Sequence, residues 1–351
     1  MFELSVLTAV LLGSWLMTAG ATRCAMKYNV QDLPNERSSH THPTPRGGGV
    51  AIAFAFSAGL CILLFFAKEK LSEVSSARLL LVGLLVAFIG LWDDLKSVSA
   101  SSRIVVHLVS SSMFVGLLLA GPKLVLGTQE IQSQWLLLPA LVVFLVWMIN
   151  LFNFMDGIDG LGAGEAFVVS LGATFLEWLA GGSAGMILLW SLVSCAALGF
   201  LFHNWPPAKI FMGDTGSGFL GFVLAALALV SAQRGSLPLC SSLILFGAFF
   251  VDATYTLLNR FWRGERIFEA HRDHAYQHAV QKGWSHARVT SAVMLVNVFW
   301  LLPWAWAAQK YVDYGLLCVA SAFLPLLVLA VKLRAGIRLE PSRNSALGGN
   351  P

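Results

Sequence analysis

The chain has 351 residues, of which 57% are hydrophobic and only 12% are charged, and its mean hydropathy is +0.72. Soluble domains carry about 25% charged residues, and no polar stretch here is long enough to fold alone, so a soluble enzyme is excluded. The net charge is only +4, and no nucleic-acid partner is expected. The five cysteines are scattered singly, which argues against a zinc site or a disulfide framework.

Apolar stretches long enough to cross a bilayer, which takes about 20 residues, recur along the whole chain. They predict an all-α, polytopic integral membrane protein with about eleven transmembrane helices in a single domain, residues 1–339. The predicted spans lie near residues 3–22, 48–67, 77–92, 104–120, 135–152, 162–180, 185–202, 216–231, 238–259, 289–308 and 314–333. Residues 340–351 are expected to form a disordered tail.

The distribution of positive charge predicts the orientation, because cytoplasmic loops hold an excess of Lys and Arg. With the N-terminus outside and the C-terminus in the cytoplasm, 17 of the 23 Lys and Arg residues fall on the cytoplasmic side. Five motifs rich in Asp, Asn and His fall on the same side, although acidic residues do not follow the positive-inside rule. Their common location predicts one shared site for an anionic ligand and a metal.

Two of these motifs lie in the first third of the chain. Arg46 precedes three glycines at the start of a predicted helix, where free N–H groups and the helix dipole favour an anion. Asp93 and Asp94 end another predicted span, and carboxylates there are costly unless they are paired or bind a metal. Lys96 and Arg103 follow and are suited to phosphate oxygens. Taken singly, each motif also fits an ordinary loop or a solvated helix end.

Two further motifs lie in the middle of the chain. In residues 150–160, amides and carboxylates recur every three residues and line one helix face, which suits a nucleobase edge, a ribose or a metal. Residues 211–217 carry two glycines and Asp214, a hard oxygen ligand of the kind that Mg²⁺ prefers. The alternative for this second motif is a plain loop between two membrane helices.

The last motif lies in the long loop between residues 260 and 288. His271, Arg272 and His274 suit a pyrophosphate, because all three offer hydrogen-bond donors or positive charge. Asp252, near the end of the preceding span, is placed to orient one of these groups. The alternative is a basic loop that meets anionic lipid head groups.

In order and together, these motifs resemble those of the polyprenyl-phosphate N-acetylhexosamine-1-phosphate transferases. The resemblance covers nearly the whole chain and rests on residues 45–49, 93–96, 150–160, 211–217 and 271–274. It implies a cytoplasmic active site in the bacterial inner membrane, a UDP-N-acetyl amino sugar as donor and undecaprenyl phosphate as acceptor. It also implies Mg²⁺ as the cofactor, with Mn²⁺ as an alternative, and contacts with membrane lipids. A homodimer is compatible with it.

The same resemblance implies a role for individual residues. Asp93 and Asp94 are expected to be catalytic, and Asp214 and Asn153 to bind the metal. Residues on the nucleotide side are expected to be Asn150, Asp156, Asp159 and Asn204. Phosphate and sugar contacts are expected from Arg46, Lys96, Arg103, His271, Arg272 and His274. Which of the two adjacent aspartates acts as a base, and whether a covalent aspartyl intermediate forms, stays open at this point.

The identity of the sugar depends on the last loop, which reads His271-Arg272-Asp273-His274. The N-acetylglucosamine and muramoyl-pentapeptide branches usually carry a tighter histidine cluster there. This loop is more similar to the O-antigen branch that uses 6-deoxy sugars such as N-acetylfucosamine or N-acetylquinovosamine. UDP-N-acetylglucosamine is the alternative donor. A transporter or lipid flippase, the rival class, predicts midplane charges and an inverted repeat, and the sequence shows no such repeat.

Overall fold

The structure is a computed structural model that describes residues 1–33, 42–71, 76–118, 124–126, 129–131, 133–266 and 271–338. Within these residues almost every regular element is helical, as the sequence predicts. The exceptions are two pairs of short antiparallel strands. The tail predicted for residues 340–351 lies outside the described residues and stays a prediction.

A helix lies over each of the apolar stretches. The long helices are α1 (Phe2–Lys27), α2 (Gly49–Phe66), α4 (Ser76–Leu95), α5 (Ala100–Leu118), α6 (Gln134–Met155), α7 (Leu161–Leu179), α8 (Ala184–Asn204), α9 (Gly213–Arg234), α11 (Gly247–Trp262) and α15 (Gly315–Lys332). The shorter ones are α3 (Lys68–Leu71), α10 (Leu239–Leu245), α12 (Ala275–Gln281), α13 (His286–Val296) and α14 (Leu302–Lys310). A π-helical turn, Asn297–Leu301, joins α13 to α14, and a 3₁₀ turn, Val312–Tyr314, precedes α15. The strands are β1 (Gln31–Asp32), β2 (Thr44–Pro45), β3 (Leu124–Leu126) and β4 (Gln129–Ile131).

Eight spans in the described part of the chain are long and apolar enough to cross a membrane. The pair α10 and α11, bent by 78° at its junction, would make a ninth. The helices α5 and α7 also cover predicted spans, but they are less apolar: α5 carries one arginine, one histidine and five serines, and α7 carries two glutamates. The multi-pass, all-α membrane architecture is therefore confirmed, whereas the count of eleven and the orientation of the termini stay predictions.

The central helix is α9, which packs against α2, α4, α6 and α8. In its most apolar stretch, 94% of the residues are buried. Glycines let the neighbouring helices approach its first turn. A Cβ atom built on Gly90 of α4 would lie 2.4 Å from the carbonyl oxygen of Asp214, and one built on Gly49 of α2 would lie 2.3 Å from Gly216. Such contacts exclude any larger residue. The motifs carried by α2, α4 and α9 therefore meet at one point.

Two helix boundaries differ from those predicted, and the differences matter for the site. The helix α9 begins at Gly213 and not near residue 216, so Asp214 lies in its first turn and not in a loop. The helix α6 continues to Met155, so Asn150 and Asn153 lie in its last turns. The polar residues of these motifs therefore project from helix ends, where rigid backbone fixes their positions.

Candidate active site

Three carboxylates and two guanidinium groups from four separate segments meet at the start of α9, and we call them the carboxylate–arginine cluster. Arg46 lies 2.6 Å from Asp214 and 3.0 Å from Asp94. Arg103 lies 2.9 Å from Asp93 and 2.5 Å from Asp214. The carboxylate side chains are 2–14% exposed, and the two arginine side chains are 30–33% exposed. With every group ionised the cluster has one excess negative charge, and the arginines lie on its open side.

Asp94 supplies the cap for α9 from a different helix. Its Oδ1 accepts a hydrogen bond from the backbone N–H of Asp214 at 2.9 Å. Its Oδ2 accepts bonds from the backbone N–H and the hydroxyl of Thr215, at 3.0 and 2.7 Å. Met212, which precedes the helix, offers no capping side chain, so Asp94 satisfies N–H groups that would otherwise be unpaired. Both oxygens of Asp94 are therefore occupied in this structure, and its predicted catalytic role stays a prediction.

Asp93 is held differently from its neighbour. Its Oδ1 accepts a hydrogen bond from the backbone N–H of Val98 at 2.6 Å, and its Oδ2 pairs with Arg103. Since Arg103 also binds Asp214, Asp93 is linked to the start of α9 through a shared guanidinium group. Asp93 thus accepts one backbone N–H, whereas Asp94 accepts two, and the predicted catalytic role of Asp93 also stays a prediction.

A cavity of about 40 Å³ adjoins Asp214 and is lined by polar groups of α5 and α6 together with apolar side chains of α4 and α6. Asn153 lines it and donates a hydrogen bond to Ser217 at 3.3 Å. Asn150 lines it from one turn earlier, as the sequence predicts for two amides on one helix face. The predicted metal-side and nucleotide-side amides are thus brought to the same small space as Asp214.

His107 also lines this cavity and was missed by the sequence analysis. Its Nδ1 lies 3.4 Å from the Nδ2 of Asn150, whose amide also donates to the carbonyl of Val146 at 2.7 Å. The available signal was its position one turn after Arg103 on α5, which puts both side chains on the same helix face.

The donor set next to Asp214 fits a magnesium ion by its chemistry. Mg²⁺ is usually held by one or two carboxylates, keeps several waters and takes oxygen ligands, all of which this cavity allows. The excess negative charge of the cluster also favours a cation. Among the described residues no group of three or more His, Cys, Asp or Glu forms a closed metal cage. A cation would therefore share Asp214 with the guanidinium groups of Arg46 and Arg103.

The structure gives supporting roles to Asp159 and Asn204, which were expected on the nucleotide side. Asn204 is 2% exposed, its Oδ1 accepts from the N–H of Gly160 at 3.0 Å, and its Nδ2 donates to the carbonyl of Ile210 at 2.9 Å. Asp159 accepts from the N–H of Ala208 at 3.1 Å and lies 3.3 Å from His286. Both ends of the Asn204 amide therefore hold loops together in this structure, and the nucleotide contacts predicted for Asn204 and Asp159 stay predictions.

Asp156 directly follows the last residue of α6, and its carboxyl lies against Gly162 in the first turn of α7. Burial, reinforced by the negative charge of Asp214, raises the pKa of Asp156 to about 8. This carboxyl is therefore largely protonated at neutral pH in the free protein. Its predicted contact with the nucleotide stays a prediction.

The histidine loop is organised by Asp252 of α11, as its sequence position suggested. Asp252 accepts hydrogen bonds from the backbone N–H groups of Ala275 and Tyr276, at 2.9 and 3.1 Å, and lies 3.3 Å from Nδ1 of His274. Asp252 therefore both caps α12 and orients His274. The His274 ring stacks near Phe154, at 6.5 Å between ring centroids, which brings this loop to the end of α6.

Other side chains of the loop are held inside the protein. Burial, together with His274 and Arg260, lowers the pKa of His271 to about 3, so this ring is neutral at pH 7 in the free protein. Arg260 pairs with Asp273, and Tyr276 donates to the carbonyl of Phe154 at 3.0 Å.

Two predicted phosphate ligands lie further out. Lys96 is exposed and lies 5.8 Å from the ring centroid of Trp92. Arg272 is half-buried, and its carbonyl accepts a hydrogen bond from Gln281 at 2.8 Å. Neither side chain belongs to the carboxylate–arginine cluster, and their predicted phosphate contacts remain untested.

The predicted orientation can be tested at exposed positions near the site. We expect single cysteines at Ser97, Lys209 and Ser285, in a cysteine-free background, to resist a membrane-impermeant thiol reagent in intact cells, because all three lie on the predicted cytoplasmic side. A cysteine at Asp313, exposed at the opposite end of α14, should be labelled and serves as the control. External labelling of any of the first three positions would contradict the shared cytoplasmic site.

Comparison with known proteins gives consistent similarities. Residues 76–232 match Glycosyl transferase family 4. The chain is 29% identical over 301 residues to the probable undecaprenyl-phosphate N-acetylglucosaminyl 1-phosphate transferase of Bacillus subtilis. The matched region covers 84% of this chain and 81% of that protein. It is 28% identical over 358 residues to the decaprenyl-phosphate N-acetylglucosaminephosphotransferase of Mycobacterium tuberculosis, with 92% and 86% covered. It is 32% identical over 313 residues to the phospho-N-acetylmuramoyl-pentapeptide-transferase of Acaryochloris marina, with 82% and 80% covered.

Proposed function

Since the chain belongs to glycosyl transferase family 4, as a polyprenyl-phosphate N-acetylhexosamine-1-phosphate transferase, we propose that its reaction takes place at the carboxylate–arginine cluster. The observation that carries this proposal is the convergence of four separate segments on the first turn of α9. We propose undecaprenyl phosphate as the acceptor and the cytoplasmic side of the bacterial inner membrane as the location. The lipid product would start an O-antigen or related cell-envelope polysaccharide.

The reaction joins two anionic partners, so positive charge must be supplied. An oxygen of the lipid phosphate attacks the β-phosphorus of the UDP-sugar, the bond from that phosphorus to the bridging oxygen breaks, and UMP leaves. Such transfers depend mainly on positioning and charge neutralisation. Arg46 and Arg103 are partly exposed above the carboxylates and are suited to bind phosphate oxygens on both partners.

A strong general base is not needed for this attack. The last proton of a phosphate monoester has a pKa of about 6, so the lipid phosphate is mostly deprotonated at neutral pH. Both oxygens of Asp93 already accept hydrogen bonds, from the N–H of Val98 and from Arg103. These contacts favour direct attack over a covalent aspartyl intermediate, and we propose that Asp93 orients Arg103 toward the lipid phosphate.

A magnesium ion, or manganese in its place, would be held by Asp214 and the amide of Asn153. When bound, it would supply positive charge to the pyrophosphate and to the departing UMP. The position of Asp214 is set by the first turn of α9, whose backbone N–H groups donate hydrogen bonds to Asp94. The neighbouring Asn150 amide, held by Val146, would face the same nucleotide phosphates.

For the sugar we propose a 6-deoxy donor, UDP-N-acetylfucosamine or UDP-N-acetylquinovosamine, on the sequence of the histidine loop alone. The side chains that follow His271 do not point to a particular sugar. Asp273 pairs with Arg260, Tyr276 binds Phe154, and the Gln277 oxygen accepts from the N–H of His274 at 3.3 Å. Direct sugar contacts from these three residues would require the loop to rearrange.

A panel of UDP-sugars with purified protein tests this choice. We expect kcat/KM to be higher for a 6-deoxy donor than for UDP-N-acetylglucosamine by about ten- to two-hundred-fold, because an apolar pocket for a methyl group rejects a hydroxyl only weakly. Mass spectrometry of the lipid product would identify the sugar and the diphosphate.

UDP-N-acetylglucosamine is the second candidate donor. It is favoured by the printed names of the Bacillus and Mycobacterium relatives, which are N-acetylglucosamine 1-phosphate transferases. If this sugar gives the highest kcat/KM in the panel, the 6-deoxy assignment is wrong and the transferase reaction is unaffected. Formation of no lipid diphosphate from any donor would contradict the proposed site as well.

A further inference from the structure

The chain reverses direction after α15 and packs against the histidine loop. Residues 333–337, which we call the C-terminal turn, follow Lys332 at the end of α15. The backbone N–H of Ala335 donates a hydrogen bond to the carbonyl of Ala330 at 3.0 Å, and Arg334 has a φ of +63°. Both features are typical of a Schellman motif, which ends a helix by turning the chain. The reaction proposed above gives this segment no role.

Two hydrogen bonds join the C-terminal turn to the histidine loop and to α11. The backbone N–H of Gly336 donates to the carbonyl of Asp273 at 2.7 Å. Asn259, near the end of α11, donates from its Nδ2 to the carbonyl of Ala335 at 2.8 Å. Asp273 directly precedes His274, so the first of these bonds fixes the backbone beside a predicted pyrophosphate ligand.

A third hydrogen bond joins the C-terminal turn to α12. His278 is 0% exposed, and its Nδ1 lies 2.9 Å from the carbonyl oxygen of Leu333. Because a carbonyl oxygen can only accept, Nδ1 carries a ring proton and donates it. Since α12 begins directly after His274, the turn holds the chain on both sides of that residue.

Small apolar side chains pack at the same junction. Ala335 of the C-terminal turn forms a separate buried cluster with Ala330 of α15 and Ala275 of α12. Ala275 is the residue that follows His274 in the chain. The cluster therefore fixes the start of α12 in addition to the three hydrogen bonds.

Gly336 is the position where the C-terminal turn leaves no room for a side chain. Its φ is +75°, a conformation that favours glycine. A Cβ atom built there would lie 2.8 Å from the carbonyl oxygen of Thr256 and 2.8 Å from the Cβ of Asn259. Both residues belong to α11, so a side chain at position 336 would push the turn away from this helix and displace the bond to Asp273.

The histidine loop reaches from the C-terminal turn to the end of α6. As described above, the His274 ring stacks near Phe154, and Tyr276 donates to the carbonyl of Phe154. Phe154 directly follows Asn153, and both line the cavity beside Asp214. A displacement of the turn would therefore move the loop residues that contact the region of the proposed donor site.

We infer that the C-terminal turn is a positioning element for the transfer reaction, which holds the histidine loop against the donor site through Gly336, Asn259 and His278. Asp252 supports the same loop from α11, and the turn supports it from α15. The inference rests on the proposed contact of the histidine loop with the donor pyrophosphate. It assigns the turn no contact with either substrate.

The kinetic test adds one methyl group, in Gly336→Ala. We expect kcat/KM for the UDP-sugar to fall by about tenfold or more, mainly through a higher KM, because small displacements of a site cost up to about 10²-fold. The KM for the lipid phosphate should stay within about twofold. A mere loss of folded protein would lower kcat and leave both KM values unchanged. The matched control is Arg334→Gly, an exposed position in the same turn whose φ of +63° suits glycine, and it should keep wild-type kinetics.

A second pair of variants keeps the test decisive if Gly336→Ala does not fold. His278→Ala removes the donor to the carbonyl of Leu333 and should raise the KM for the UDP-sugar in the same direction. His278→Asn places an amide N–H close to the position of Nδ1 and should restore most of the loss. Wild-type KM values for the UDP-sugar in both Gly336→Ala and His278→Ala would overturn the positioning role.

Hydrogen exchange measured by mass spectrometry tests the contact without using activity. In Gly336→Ala, backbone amides of residues 271–282 should exchange faster, whereas residues 184–204 of α8 should exchange as in the wild type. Unchanged exchange of residues 271–282 would overturn the inference. His274→Ala separates this failure from that of the proposed function. A donor-specific loss in His274→Ala but not in Gly336→Ala would overturn only the role of the turn, whereas wild-type donor kinetics in His274→Ala would remove the histidine loop from the donor site.

Discussion

The variant Asp214→Asn is expected to lose at least about 10³-fold in kcat while staying folded. The substitution keeps the shape of the side chain but removes the charge that two arginines and the proposed cation share. Losing one preorganised charged contact in a buried site costs about 10²–10³ in rate, and losing the metal as well should cost more. UMP release measures the rate, and the thermal midpoint in detergent checks the fold.

Two controls accompany this variant. Asp313→Asn removes an exposed carboxylate at the other end of the protein and should leave turnover unchanged. Chelation of divalent cations should abolish turnover of the wild type, and added Mg²⁺ should restore it. Undiminished turnover in Asp214→Asn would remove Asp214 from the active site.

The second large effect is expected for Asp94→Ala, and it should appear in stability as well as in activity. The Asp94 side chain is 2% exposed and accepts hydrogen bonds from two backbone N–H groups and one hydroxyl, besides pairing with Arg46. Its removal takes this partner from the two N–H groups and the hydroxyl at the start of α9, while Arg46 keeps its contact with Asp214. Breaking a buried, hydrogen-bonded ion pair typically lowers the free energy of unfolding by about 3–5 kcal/mol.

Asp93→Ala is the matched variant, since it removes the same group from the neighbouring residue. Its side chain is 13% exposed, pairs with the partly exposed Arg103 and accepts one backbone N–H where Asp94 accepts two, so the loss of stability should be smaller, about 1 kcal/mol, while activity falls. Denaturant titration followed by UMP release distinguishes the two variants. Equal losses of stability would contradict the assignment of Asp94 as the cap of α9.

The helices could be predicted from the sequence because apolar length alone determines where a chain can cross a membrane. Each predicted span coincides with a helix of the structure. The starting point of α9 could not be predicted in the same way. Its cap is supplied by Asp94, more than a hundred residues earlier, and neither Met212 nor any adjacent side chain signals a helix start.

The grouping of the site residues could be predicted, but their pairing could not. The common side of the motifs correctly brings Arg46, Asp94 and Asp214 together. The sequence predicts a ligand for each residue separately. In the structure, arginines and aspartates from different motifs pair with one another instead. Asn204 shows the same limit, because its two buried backbone partners are visible only once α8 has been packed.

Residues within predicted spans were the hardest to interpret. His107 and Glu165 lie inside helices, where the sequence analysis gave weight to polar groups at span ends. Their partners, Asn150 and Asn297, are distant in sequence and are themselves inside helices. The role of a polar residue within an apolar helix can therefore be inferred only when the neighbouring helices and their polar groups are known.

The most direct test of the account is the binding of Mn²⁺ to purified protein, measured by electron spin resonance with and without UDP-N-acetylglucosamine. The account predicts one site in the wild type, whose affinity rises when the nucleotide sugar is added. In Asp214→Asn the affinity should fall by about 100-fold or more, because the carboxylate that holds the ion is lost. Wild-type binding of Mn²⁺ by a folded Asp214→Asn protein would contradict the placement of the cation and the donor pyrophosphate at the start of α9.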